Sequence, residues 1–409
     1  MRFLRTVSTQ RLLAILAGVI IAAAGGTAIA VAAAGSGPVP PRESLAAALH
    51  QAATAPAVSG ISARIKFTNN LIDSTNIQGS DPILNGASGR LWVSTTAHRL
   101  RLELQGETGD AQLVIDNGAF SIYDPSSNTL YKGTLPSSSD KKKSSTDTVP
   151  TVAQIQKDLN QLMQDVNILG PLPRNVAGQP AYKVKLSPKH DGGLLGDVQL
   201  AWDAAHGTPL GIAIYSRDSS TPVLELKATN ISFGPVSTSD LSIKAPSGAK
   251  VVQVSPTATG AAADHAGKAR EKAKKHAQVI GPAAVQAHLP FKLVAPDKLV
   301  GLPRQSVELL DWGGHPAALA TYGQGLGGIA VIEQTATSSQ TQSQSGSKGS
   351  GGQPGLSLPT VSINPTTSGQ ELATALGTVL RWNSAGVSYT VLGSVPPTAA
   401  EAAARQLAP

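Results

Sequence analysis

At 409 residues the chain exceeds what one hydrophobic core usually organises, so two or three folded units are expected. The absence of cysteine excludes disulfides, thiolate nucleophiles, Cys-ligated zinc and a lipidated N-terminal cysteine. A formal charge of +7 suits an anionic partner, and with only 4% aromatic residues and no aromatic ladder between the basic ones, a membrane surface fits better than nucleic acid.

Residues 1–36 read as a targeting segment. Arg2, Arg5 and Arg11 precede the apolar run Leu12 to Ala34, roughly 23 residues, longer than a signal-peptide core and near the ~20 that span a bilayer. Gly18, Gly25, Gly26 and the small-residue site Ala28-Ile29-Ala30 argue for cleavage instead, so a signal anchor and a cleaved signal peptide both stand. Either one exports the chain beyond residue 36, because the arginines stay on the cytoplasmic side. The expected location is the extracytoplasmic face of the cell membrane, anchored there, or the secreted state.

Beyond a Pro-rich spacer, Arg42 to Thr54 carries Leu45 and Leu49 in an alanine-rich context, which predicts a short amphipathic helix. Ile61, Ala63, Ile65 and Phe67 then alternate with Ser62, Arg64 and Lys66, the period of a strand with one apolar face. From Gly89 to Pro136 the alternation continues as a meander. Leu91, Val93, Leu100, Leu102, Leu104, Leu113, Ile115, Phe120 and Ile122 share one face, Arg99, Arg101 and Glu103 take the other, and Asp116-Asn117-Gly118 and Asp124 to Asn128 supply turns. The tract Pro136 to Val149 has no periodicity and reads as a mobile loop. A helix is expected from Pro150, its stripe of Val152, Ile155, Leu159, Leu162 and Val166 covering a sheet.

Alternation resumes at Gln179 through Tyr182, Val184 and Leu186, then Val198, Leu200 and Trp202, then Leu210, Ile212 and Ile214, then Leu224 and Leu226. The sum is about ten strands and two helices: an α+β fold with one strongly curved, unclosed antiparallel sheet and helices on its concave face. Thr257 to His288 is rich in Ala, Lys and His without an apolar stripe and reads as an exposed basic linker helix. A small C-terminal α+β domain comes next, with strand-like Phe291 to Pro296, Ser306 to Trp312, Ala317 to Gly323 and Ile329 to Gln334. Beyond the polar tract Thr335 to Gly355, read as disordered, come a hairpin around Asn383 to Gly386 and a closing helix, Pro397 to Leu407. The expected division is 1–36 leader, 40–256 first domain, 257–288 linker and 289–409 second domain.

Catalytic chemistry finds no support. Gly323, Gly325 and Gly328 match a dinucleotide-binding spacing, but a strand comes after them where that site needs a helix, so they read as a hairpin turn. The eight histidines form no metal-ligand pair on one helical turn, and Asp116, Asp124 and Asp203 sit where turn chemistry explains them. Neither an enzyme activity nor a cofactor is expected. The apolar sheet faces are the remaining candidate, either as plain core or, because two helices cannot cover ten strands, as the lining of a hydrophobic cavity.

Ile61 to Phe67, Gly89 to Leu104 (GRLWVSTTAHRLRLEL), Leu113 to Gly133 (LVIDNGAFSIYDPSSNTLYKG) and Ala245 to Val252 (APSGAKVV) resemble the LolA-like periplasmic lipoprotein carrier superfamily, whose unclosed barrel holds acyl chains. A leader, such a domain and a smaller one is also the layout of the RseB/MucB regulators, which bind an anti-sigma factor. The resemblance implies an exported, non-enzymatic carrier or sensor of lipid or lipoprotein acyl chains. The alternative is an envelope-stress regulator that binds an anti-sigma factor or other membrane-anchored protein through its C-terminal domain. The cavity lining it implies is Ile65, Phe67, Leu91, Val93, Leu100, Leu102, Leu104, Leu113, Ile115, Phe120, Ile122, Val184, Leu200 and Ile212. Arg90, Arg99 and Arg101 are all candidates for the superfamily's functional arginine. The chain departs from mycobacterial-type relatives, which are usually lipoproteins, in having no cysteine to acylate.

Overall fold

Alternating apolar segments joined by short turns leave each strand one neighbour before and one after, and the meander builds outward from there. In the computed structural model, which describes residues 37–72, 86–106, 109–135, 149–243, 246–254, 279–312, 315–336 and 358–408, helix α1 (Leu45–Thr54) leads into β1 (Gly60–Asn69). The meander continues as β2 (Ala87–Ser94), β3 (Arg99–Leu104), β4 (Ala111–Asp116), β5 (Ala119–Asp124) and β6 (Thr129–Thr134). After α2 (Val152–Leu162) come β7 (Val166–Val176), β8 (Gln179–Pro188), β9 (Leu195–Asp203), β10 (Pro209–Ser216), β11 (Pro222–Phe233) and β12 (Lys250–Val254). These form one twelve-stranded sheet, in the order β12-β6-β5-β4-β3-β2-β1-β11-β10-β9-β8-β7. It is open and strongly curled, a half-barrel, and antiparallel except where β12 returns to run parallel to β6. Strand β1 joins the two meanders by pairing with β2 on one side and β11 on the other.

The turns behave as their residues dictate. Asn117 and Gly118 both take positive φ, 46° and 84°, the pair that a two-residue hairpin loop requires. Asp124 Oδ1 accepts from the Ser126 amide at 2.9 Å and from its hydroxyl at 2.6 Å. Burial works to raise the Asp124 carboxyl, but the bonds from Ser126 and Ser127 outweigh it and hold it below its ordinary value.

Two sequence expectations change here. The second helix is capped by Thr151, whose hydroxyl and Gln154 form a reciprocal capping box, so Pro150 lies outside it. It stops at Leu162, Val166 opens β7, and none of its side chains is buried, so it does not cover the sheet as expected. Strand β7 itself escaped the sequence reading because Pro171 and Pro173 argue against a strand; they are tolerated because β7 is the sheet's edge and pairs only with β8.

The second unit is an eight-stranded sheet in the order β13 (Lys298–Leu299), β14 (Leu302–Trp312), β15 (His315–Tyr322), β16 (Ile329–Thr335), β20 (Val387–Gly393), β19 (Gly377–Ser384), β18 (Thr367–Thr374) and β17 (Thr360–Asn364). Short helix α3 (Pro282–Gln286) precedes it and α4 (Pro397–Leu407) closes it, burying Ala400, Ala403, Ala404 and Leu407 in a core with Leu380, Trp382 and Val391. Phe291 to Pro296, expected as a strand, is instead an irregular strap. Val285 is fully buried in this core and Val279 packs against it, so the unit begins about ten residues before the expected 289. The leader, the tract 136–148, residues 255–278 of the linker region and the tract 337–357 lie outside the described residues.

The two units meet at the β8–β9 loop. Asp191 O accepts from the amides of Leu326 (3.1 Å) and Gly327 (3.3 Å), and the Leu194 amide donates to Ser394 O at 3.0 Å. Gly323 and Gly325 both take positive φ, 73° and 63°, and a Cβ on Gly325 would sit 2.7 Å from Asp191 O, so two glycines of the spacing that resembled a nucleotide loop serve a hairpin turn and a close approach, with Gly327 beside them making room for the Asp191 carboxylate.

The β9–β10 turn of the first unit is tied by a fully buried carboxylate. Asp203 Oδ1 accepts from the His206 amide (2.6 Å) and from His206 Nδ1 (2.5 Å), and the His206 ring lies 4.0 Å from that of Phe233 at the end of β11. Burial raises the Asp203 carboxyl despite His206, which pulls the other way. Asp203→Ala leaves the His206 donors unpaired and is expected to destabilise the first unit by about 1–3 kcal/mol. Urea unfolding monitored by circular dichroism measures this; an unchanged midpoint would show that the turn does not depend on the pair.

Candidate functional site

Directly paired residues of neighbouring strands point to the same face, and a chain of such pairs runs across the whole sheet. From β1 outward, Ala63 pairs with Leu91, Leu91 with Leu102, Leu102 with Leu113 and Leu113 with Ile122. In the other direction Phe67 pairs with Leu226, Leu226 with Ile212, Ile212 with Leu200 and Leu200 with Val184. The strand period places the rest, so all fourteen residues read from the sequence lie on one face.

Packing divides that face into three zones. Ile65, Leu100, Leu102, Leu104, Leu113 and Ile115 are buried in one cluster, with Leu91, Val93, Phe120 and Ile122 half-buried against it. Val184 belongs to a second cluster with Tyr182 and Trp202, under Ala48, Leu45 and Leu49 of α1, and Leu200 packs on its margin. Beside the two lies a band of lesser packing: Phe67 and Ile212, with Leu186, Val198, Ile214 and Leu224, are half-buried and, among the described residues, belong to neither cluster. Leu186, Val198, Ile214 and Leu224 read as alternating strand residues in the sequence but not as lining, because only the three-dimensional packing shows which part of an apolar face lies outside the packed clusters.

Helix α2 carries a second apolar surface. It contacts α1, and His50 Nδ1 lies 2.9 Å from Pro150 O at its start, yet Val152, Leu162 and Met163 remain 40%, 45% and 42% exposed. Its amphipathic stripe is therefore without a full protein partner among the described residues.

The opposite face carries the charge. Arg101 is bonded to Glu103 at 2.6 Å and lies over the Trp92 ring at 5.0 Å; Arg99 pairs with Asp116, Lys185 with Asp197 and Lys227 with Glu225. This face is not simply wet, since Glu103 is buried and the Arg101 guanidinium also reaches Asp240 O. Arg90 pairs in register with Glu103 and Arg64, so all three candidate arginines point away from the apolar band. Among the described residues, no group of three or more His, Cys, Asp or Glu side chains is placed to hold a metal ion.

With this geometry in place, comparison with known proteins adds names. No family model matches the chain and no curated protein matches it. Among solved structures it is similar to MucB in complex with MucA(peri), at 15% identity over 84% of this chain and 91% of that one, with a TM-score of 0.36. MucB alone matches at 16% identity over 89% and 97%, with a TM-score of 0.33. A LolA superfamily protein from Nitrosomonas europaea matches at 9% identity over 48% and 96%, with a TM-score of 0.21. These are the two groups that the sequence resembles. At such scores the likenesses carry neither ligand nor partner to this chain.

The three zones predict different responses to one substitution. Leu102 is 2% exposed within a packed cluster, so Leu102→Asp buries a carboxylate without a partner and is expected to cost several kcal/mol and unfold the first unit. Ile212→Asp, half-buried outside the packed clusters, is expected to leave it folded with a small fall in melting temperature. Thermal unfolding by circular dichroism separates the two, and equal losses would mean that the band is as tightly packed as the cluster.

Proposed function

We propose that the protein is an exported, non-enzymatic carrier or sensor that shelters acyl chains of a lipid or lipoprotein on the concave face of its first unit, working at the extracytoplasmic face of the membrane or beyond it. The observation that carries this reading is the half-buried apolar band around Phe67 and Ile212, which adjoins Leu226 and Leu200 of the two packed clusters and, among the described residues, belongs to neither, in a unit whose second helix also leaves its apolar stripe unburied. A flexible apolar chain fits such a surface because it needs no hydrogen bonds and fills an irregular gap. Phe67 and Ile212 would meet the ligand directly; Leu102 and its packed neighbours would hold the sheet's curvature. Export rests on the arginine-flanked apolar run of the leader, and among the described residues no helix is long and apolar enough to cross a membrane.

A second reading makes the smaller unit the working part, a regulator that engages a membrane-anchored protein. It is favoured by an open groove of ≈ 510 Å³ on the second sheet, lined by Leu326, Leu376, Val379 and Leu392 among others, beside the junction with the first unit.

Uptake of a fluorescent fatty-acyl probe, together with native mass spectrometry of the purified exported part, tests the first reading. Wild-type protein is expected to bind the probe and retain co-purified lipid, and folded Ile212→Asp to do neither. Unchanged uptake in that variant would remove the band from the site. Loss of membrane-protein capture in Val379→Asp with intact probe uptake would instead support the second reading.

Limited proteolysis tests the division into units. Cleavage within residues 255–278 is expected to release two fragments that each keep their secondary structure. Degradation of either fragment with that tract intact would show the division to be wrong.

A further inference from the structure

The second unit buries a carboxylate that neither reading above uses. Glu333 is fully buried in the middle of β16, in a cross-strand row with Ala318 and Tyr389, and Tyr389 stacks on Trp382 at 5.1 Å. Its Oε2 accepts the Val294 amide at 3.0 Å, while Oε1 has no hydrogen-bond partner among the described residues. Val294 belongs to the strap Leu289 to Asp297, which is neither helix nor strand and crosses from α3 to β13. Two other side chains hold the strap. Gln286 donates to Phe291 O and accepts from the Leu293 amide, both at 2.8 Å; Arg304 donates to Ala295 O and pairs with Asp297 at 2.7 Å. Gln286 is uncharged and Arg304 is held in an ion pair with Asp297, whereas Glu333 is a buried carboxylate with one oxygen on the strap.

Among the described residues, no cation is bonded to Glu333. Tyr322 and Tyr389 are both pushed up to about 12, burial being the main cause, and stay neutral; Arg304 is engaged with Asp297. Glu371, the other buried carboxylate of this sheet, lies three strands away on β18 and is raised by burial and by Glu401 of α4. Burial pushes the Glu333 carboxyl up to about 7, the Val294 amide only partly opposing it. Between the ordinary glutamate value, 4.5, and about 7 the folded unit holds a proton that the unfolded chain has lost, so stability falls as pH rises through that window and levels off above it.

We propose that Glu333 is a protonation switch for the strap. When neutral it rests in the apolar core and the strap is seated. When ionised it must recruit water or turn outward, and the strap loosens. The strap follows α3, which Gln286 ties to it, and α3 follows the segment that attaches the incoming chain to β14 through the Ile280–Glu308 bridge and the bond from the Leu309 amide to Val279 O. Mildly alkaline conditions therefore slacken the second unit at the point where the linker enters it, whether or not the first unit binds acyl chains.

The test is a carbon-13 titration of glutamate carboxyls in the whole exported part, with hydrogen-exchange protection of Leu293 to Ala295 measured at pH about 6 and about 8 in wild type and Glu333→Gln. The Glu333 resonance is expected to titrate well above the other glutamates except Glu371. Wild-type protection should fall several-fold between the two conditions, and Glu333→Gln, whose amide oxygen can still accept the Val294 amide, should show no fall. Titration of Glu333 with the exposed glutamates, equal wild-type protection at both pH values, or the same fall in the variant would each overturn the proposal. If Glu333→Gln does not fold, the wild-type midpoints decide: protection must be lost where Glu333 titrates, and a separate midpoint refutes the switch.

Discussion

A sheet with one apolar face must either bury that face or offer it to something else, and the twelve strands of the first unit present far more of it than two short helices can cover. Curling the sheet meets part of the demand, because curvature brings Leu100, Leu102, Leu113 and Ile115 onto the side chains of β1 and its neighbours. Helix α1 meets another part by seating Ala48 on Tyr182, Val184 and Trp202. The remainder is the band around Phe67 and Ile212. The proposed site is thus what curvature and one helix leave outside the packed clusters, and its apolar character is the same property that folds the strands.

The charged face arises from the same alternation. Ion pairs such as Lys185 with Asp197 and Arg99 with Asp116 lie across strands, where each contributes little to stability but keeps the outer surface soluble and fixes which face turns inward. A slip of one residue would place these charges in the curl, and the buried cluster makes that slip costly.

The second unit solves its covering problem differently. Helix α4 lays four small or apolar residues on the sheet and completes a core, and the irregular strap covers what α4 does not reach. A strap lacks the internal hydrogen bonds of a helix, so side chains must hold its backbone, and one of those side chains is a buried carboxylate. This unit is joined to the first by backbone bonds around Asp191, made possible by glycines that let two loops approach closely.

The sequence by itself determined most strands, the face on which each side chain lies, the split into a larger and a smaller unit, and helices such as Leu45–Thr54 and Pro397–Leu407, because these depend on period and turn chemistry within a few residues. It hid β7, where edge position overrides the argument from Pro171 and Pro173, and it turned Phe291 to Pro296 into a strand, although no neighbouring strand offers that segment a ladder. It also lengthened the second helix through Val166 and had it cover the sheet. Only the tertiary structure decided that Leu102 is packed while Ile212 is half-buried outside the cluster, that Arg101 lies on Trp92 on the opposite face, and that Glu333 ends beneath Val294. Alternation tells a side chain which way to point, whereas what it meets there depends on curvature and on segments far away along the chain.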